Sequence, residues 1–277
     1  MRKLWIENEN GQKYDFTDGI NCLATSLINF GIQLNNTYFE YENSFKTATS
    51  KMSMMYPSFN AYFLKGYKGY QDFIEFAYKA KELKLYYTSN DTKYCYVDIQ
   101  SLTKTELATN HSLNCNIVFV RKSMWMKEFA ISIDTEVVGD SKSYNYTYDY
   151  KYIQVADEHI VATNRGSIEA PLNVEIIGAI RNPSIKVFID NTLISELVIN
   201  VEEDSPNAKL QIISEEGKEE MSLIVNGEKR NVYQNQDFSK DGFIFLPLGD
   251  CTISVNAGVD SGTHRFILTY HELYRGN

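Results

Sequence analysis

Apolar and polar residues alternate along most of this chain, which is the pattern of half-buried β-strands. Leu4-Trp5-Ile6 and the segment 12–16 flank Asn8-Glu9-Asn10-Gly11, and Asn-Gly between short apolar runs predicts an opening β-hairpin. One stretch departs from the period of two. Between residues 70 and 84, Phe73, Phe76, Ala77, Ala80 and Leu83 recur at spacings of three and four, which predicts one amphipathic helix. After it, 83–87 and 92–99 on either side of Thr88-Ser89-Asn90-Asp91 predict a second hairpin, followed by strands at 114–120 and 129–133.

The second half reads as strands throughout. Tyr144, Tyr146, Tyr148, Tyr150 and Tyr152 alternate with Asn145, Thr147, Asp149 and Lys151, a period that puts five rings on one face of a strand and would scatter them around a helix. Further runs at 174–180, 185–189, 193–201, 210–213, 221–225, 243–246, 252–256 and 265–270 are separated by Asn-Pro, Ser-Pro, Asn226-Gly227 and Gly-rich turns. Short strands at that spacing predict a β-sandwich or jelly roll. The fold class is therefore mainly β: an N-terminal β domain with one helix, then a C-terminal β-sandwich.

Length and charge sharpen the division. With roughly 150 residues per domain, 277 residues suggest two domains. Fifteen basic and fifteen acidic residues lie in 1–136, against 12 and 21 in 137–277, so the whole formal charge of −9 belongs to the second part. Four of the five prolines lie there too, and Val137-Val138-Gly139-Asp140-Ser141-Lys142-Ser143 reads as the link, giving domains 1–136 and 137–277. An acidic chain repels a phosphate backbone, so nucleic-acid binding is not expected. Apolar runs of four to six residues fall short of the ~20 that a spanning helix needs and of the 7–15 of a signal-peptide core, so neither membrane insertion nor secretion is expected. Glu7 and Asn8 interrupt the apolar stretch after Met1-Arg2-Lys3, and the mature chain is expected to start near Met1.

Candidate chemistry is sparse. Cys22, Cys95, Cys115 and Cys251 are far apart and form no C-x-x-C pair, which predicts reduced, buried thiols. His111, His159, His264 and His271 have no partner at a ligand or triad spacing. Glu202-Glu203-Asp204 and the carboxylates around Gly217 lack the alternating donors of a calcium loop; the latter reads as a charged hairpin tip. No phosphate-binding glycine loop, H-E-x-x-H or G-x-S-x-G occurs. No catalytic, cofactor-binding or metal-ligating residue is predicted, and no cofactor. The five tyrosines at 144–152 are the one candidate binding face. They fit a partner-facing or sugar-stacking strand, or the lining of the sandwich.

Taken together, the segments resemble the distal tail protein family of long-tailed, non-contractile bacteriophages and prophages. In the first part the resemblance rests on the opening Leu4-Trp5-Ile6-Glu7-Asn8 hairpin, on Leu83-Lys84-Leu85-Tyr86-Tyr87 leading to Ser101-Leu102-Thr103-Lys104-Thr105-Glu106, and on Trp125. In the second it rests on Gly166-Ser167-Ile168-Glu169-Ala170-Pro171, Glu175-Ile176-Ile177-Gly178, Arg181-Asn182-Pro183-Ser184-Ile185 and Phe245-Leu246-Pro247-Leu248-Gly249-Asp250. The resemblance implies a non-enzymatic virion protein at the distal end of the tail, assembled in the bacterial cytoplasm. Six first domains would close into a hub ring as cyclic assemblies do, and a galectin-like second domain would project outward. Implied partners are the tail-tube protein, the tail-tip protein, and a receptor-binding protein or cell-wall carbohydrate. The alternative is a free carbohydrate-binding β-sandwich protein using the tyrosine strand.

Overall fold

The computed structural model describes residues 2–137, 158–259 and 262–276. The chain divides into two compact units, Met1–Lys127 with Leu273–Asn277, and Glu128–Glu272.

In the first unit, β1 (Lys3–Asn8) and β2 (Lys13–Asp15) form the opening hairpin, with Gly11 in the turn at φ +74° and its N–H donated to the Asn8 carbonyl at 3.0 Å. Then come β3 (Cys22–Ile28), β4 (Leu34–Tyr41), β5 (Ser44–Met52), β6 (Ser58–Phe63) and helix α1 (Gly66–Lys79). Four more strands follow: β7 (Leu83–Thr88), β8 (Thr92–Leu107), β9 (Leu113–Arg121) and β10 (Trp125–Val137), the last running on into the second unit. The strands pair antiparallel in the order β3-β6-β9-β8-β7-β1-β2. β8 is long enough to serve three neighbours, pairing with β7 over 92–97, with β9 over 97–107 and with β10 at Tyr94↔Met126.

The helix differs in extent from its apolar pattern. It begins at Gly66 and ends before Ala80, whose extended ψ of 134° turns the chain toward β7, so Leu83 belongs to a strand. Glycines hide the start. Gly66 has φ +60°, and a Cβ there would lie 2.8 Å from the His111 carbonyl oxygen. An L-side chain would be both strained and crowded at that point. Phe73 and Ala77 then face inward, where Phe73 meets Phe16 at 5.5 Å and Phe16 meets Phe59 at 4.9 Å, both edge-on. Phe63, Phe119 and Trp125 are fully buried in the same core, each worth about 1.5–3 kcal/mol in transfer from water.

The second unit opens with β11 (Glu158–Asn164), β12 (Ala170–Ile177), β13 (Ile180–Arg181), β14 (Ser184–Ile189) and β15 (Thr192–Val198). It continues with β16 (Glu202–Glu203), β17 (Lys209–Ile213), β18 (Glu220–Val225), β19 (Glu228–Asn231), β20 (Phe245–Leu246), β21 (Gly249–Asn256) and β22 (Gly262–Tyr274). One sheet runs β19-β18-β17-β12-β22 and the other β11-β21-β14-β15. Leu172, Val174, Leu210, Leu223 and Leu268 of the first share a core with Ile160, Ile185, Val187, Leu197 and Ile253 of the second, which makes a β-sandwich. Asn226 and Gly227 both take positive φ between β18 and β19, the two-residue turn that Asn-Gly favours. The fold class is mainly β with one α-helix among the described residues, as the patterning predicts.

Candidate assembly surfaces

The first unit carries an arm. β4 and β5 pair from Leu34↔Met52 to Tyr41↔Ser44, with an irregularity after Thr37, and every residue of both strands is exposed. Opposed residues share a face, so Tyr38 opposite Thr47 and Phe45 opposite Glu40 lie on one side, Phe39 opposite Lys46 and Tyr41 opposite Ser44 on the other. Phe45 is 75% exposed. Neither face is covered, and a lone two-stranded hairpin is marginally stable at best in water. Lys46 lies over the Tyr41 ring at 3.9 Å, a contact internal to the arm.

The root of the arm, by contrast, is locked. The inward positions of β9 are Leu113, Cys115, Ile117, Phe119 and Arg121, so a guanidinium takes the last core place on an otherwise apolar face. Arg121 is 5% exposed; Nη1 donates to the Gly31 carbonyl at 3.3 Å, and Nη2 reaches Met52 Sδ at 3.6 Å and the Arg275 carbonyl at 3.5 Å. Its burial pulls the guanidinium pKa below the usual arginine range. Trp125 Nε1 donates to the Phe30 carbonyl at 3.1 Å, and the Ser53 N–H donates to the Gln33 carbonyl at 2.9 Å. Both strands of the arm thus leave a fixed base.

A second surface lies on the other side of the sheet order. A groove of about 360 Å³ runs between the last turns of α1, the start of β7 and the middle of β8, lined by Tyr70, Ile74, Tyr78, Glu82, Ile99 and Leu102 among others. Tyr78 is 77% exposed. The Glu82 carboxylate makes no ion pair among the described residues, and neither do Lys46 and Lys51 of the arm. β3 adds an edge strand that, among the described residues, pairs only with β6 and shows Leu23 and Ile28 to solvent.

Of the four histidines, His264 and His271 are structurally engaged. His264 Nε2 lies 2.9 Å from the Ala179 carbonyl oxygen, and His271 sits between Glu128 at 3.2 Å and Glu215 at 3.3 Å. His111 occupies the loop before β9 with φ +61°, and His159 is exposed on β11. All four cysteines are buried; burial pushes the Cys22 thiol up to about 12 and that of Cys115 up to about 11, and raises Cys95 and Cys251. Among the described residues no group of three or more His, Cys, Asp or Glu is placed to hold a metal. Glu215 and Glu220 flank the β17–β18 hairpin turn, with Gly217 at φ +77°. The polar side chains Asn200, Glu202, Arg230, Asn231 and Asn235 line a shallow hollow in the second unit. Tyr144, Tyr146, Tyr148, Tyr150 and Tyr152 lie outside the described residues.

The arm and the groove carry no motif, and sequence reasoning assigned neither. The readable trace of the arm is Tyr38-Phe39-Glu40-Tyr41-Glu42-Asn43-Ser44-Phe45, aromatics on both sides of a polar turn.

Comparison with known proteins bears on the whole chain. It is similar in fold to a chain of the phage P2 baseplate in its activated conformation with calcium, 16% identical with a TM-score of 0.62, covering 97% of this chain and 98% of that one. It is equally similar to SPP1 Dit (gp 19.1), in a crystal structure described as a paradigm of the hub adsorption apparatus in phages infecting Gram-positive bacteria: 11% identity, TM-score 0.62, 98% and 99% covered. No curated protein matches. Residues 3–122 match the family model for the distal tail protein, N-terminal domain. Over residues 3–122 the chain is thus similar to the N-terminal domain of distal tail proteins.

Proposed function

We propose that this is a structural hub protein of a phage tail, non-enzymatic, in which six copies of the first domain, residues 1–136, close into a ring. The ring joins the end of a long non-contractile tail tube to the tail-tip apparatus, and the domain at 137–277 projects outward. The family match over 3–122 and the shared fold with the P2 baseplate and SPP1 hub chains support this reading. The observation that carries it is the β4–β5 arm. Eight residues of β4 and nine of β5 stand on a locked root with aromatics on both faces and no cover within their own chain, so the protomer is built to be completed by other chains.

Partners on this reading are the tail-tube protein, the tail-tip protein, and a receptor-binding protein or cell-wall carbohydrate at the outer domain. The site of action is the distal end of the virion tail, after assembly in the host cytoplasm. A free carbohydrate-binding protein would leave the arm without a use. Light scattering with negative-stain imaging tests the ring: six-fold particles with outward lobes are expected, and a monomer or dimer even with the tube and tip proteins present would refute it.

A further inference from the structure

We propose that the β4–β5 arm of one copy lies in the α1–β8 groove of the next, so that these two surfaces are the ring contact; this rests on the ring reading above. A ring needs a head-to-tail contact between two different patches, because a self-complementary patch closes at two copies. The first unit offers such a pair. The arm leaves the sheet between β3 and β6, at one edge, whereas the groove lies on β7, β8 and the end of α1. The arm's own chain leaves the groove open, since its lining includes no residue of β4 or β5.

The chemistry of the two surfaces matches. The groove is lined by the apolar side chains of Ile74, Ile99 and Leu102 and the rings of Tyr70 and Tyr78, together with the charged Lys81, Glu82 and Asp98. The arm brings Tyr38 and Phe45 on one face and Phe39 and Tyr41 on the other. The arm carries Lys46 and Lys51 together with Glu40 and Glu42, and the groove lining carries Lys81 and Glu82 together with Asp98; of these only Asp98, on Lys122, makes an ion pair among the described residues. Seating the arm removes exposed aromatic surface from water and lets the arm's lysines meet Glu82 and its carboxylates meet Lys81.

The test places Phe45→Cys and Tyr78→Cys together in the full chain and adds a short bismaleimide. The four native cysteines are buried and stay silent. A ladder of covalent multimers reaching the hexamer is expected from the double variant. A mixture of the two single variants should stop at dimers, and either alone should give none. Should the double variant fail to assemble, charge reversal decides. Lys46→Glu or Glu82→Lys alone should raise the concentration needed for half-assembly about fivefold, the scale of one exposed ion pair, and the double reversal should restore it. A ring seen by imaging with no ladder and no restoration would overturn the contact and leave the ring intact. Absence of any ring with the tube and tip proteins present would overturn both.

Discussion

Arg121 shows how one residue can act beyond its own position. By strand alternation it falls on the core face of β9, and it satisfies its donors on the carbonyls of Gly31 and Arg275 and the sulfur of Met52, three points that hold the root of the arm. Arg121→Leu should keep the packing volume and lose those contacts. A well-formed hydrogen bond from a charged group contributes about 1.5–3 kcal/mol; two of the three contacts are long and removing a desolvated charge offsets part of the loss, so the urea midpoint should fall by the equivalent of about 2 kcal/mol, and an unchanged midpoint would contradict the role. The cysteines give a second expectation at this scale. A thiol raised to about 12 at Cys22 and about 11 at Cys115 holds almost no thiolate at pH 8, and the thiolate is the reactive form. Ellman's reagent at pH 8 should find no reactive thiol in the native chain and four after unfolding. Rapid native reaction would mean that the cores open.

Among the elements, legibility followed packing. The opening hairpin, the second hairpin at β7–β8, β9, and most strands of the sandwich were readable because each buries one face and so alternates; Phe59, Ala61 and Phe63 on β6 alternate in the same way with Ser58, Asn60 and Tyr62, a short signal that the sequence reading left unassigned. α1 was readable through Phe73, Phe76 and Ala77, but its first turn was not, since Gly66 is placed by close approach to the loop at His111, which no periodicity reports. The arm was illegible for a sharper reason: a hairpin that buries neither face shows no alternation to read. The same fact gives a prediction. Replacing residues 36–50 by a two-residue Asn-Gly turn removes exposed surface and no core side chain, so the thermal midpoint of the protomer should shift by no more than ~2 °C, while assembly is abolished. A large loss of stability would mean that the arm packs on its own chain.

For the whole molecule, the proposed hub assigns the two cores two different tasks. The first part of the chain balances fifteen basic against fifteen acidic residues, which lets copies meet without strong mutual repulsion, while the excess of acid lies in the second part. Fold class could be read from alternation and the family resemblance from ordered segments within the matched part such as Leu83-Lys84-Leu85-Tyr86-Tyr87, yet the surfaces that would join copies could not, because an interface is written in two distant segments at once. The most direct measurement is multi-angle light scattering of the full chain on a sizing column across a concentration series, alone and with the tail-tube and tail-tip proteins. Six chains of 31.9 kDa give a particle of about 191 kDa, and that mass, reached alone or on addition of the partners, is the expected result. A particle that stays at the mass of one or two chains at every concentration and with every partner would contradict the hub.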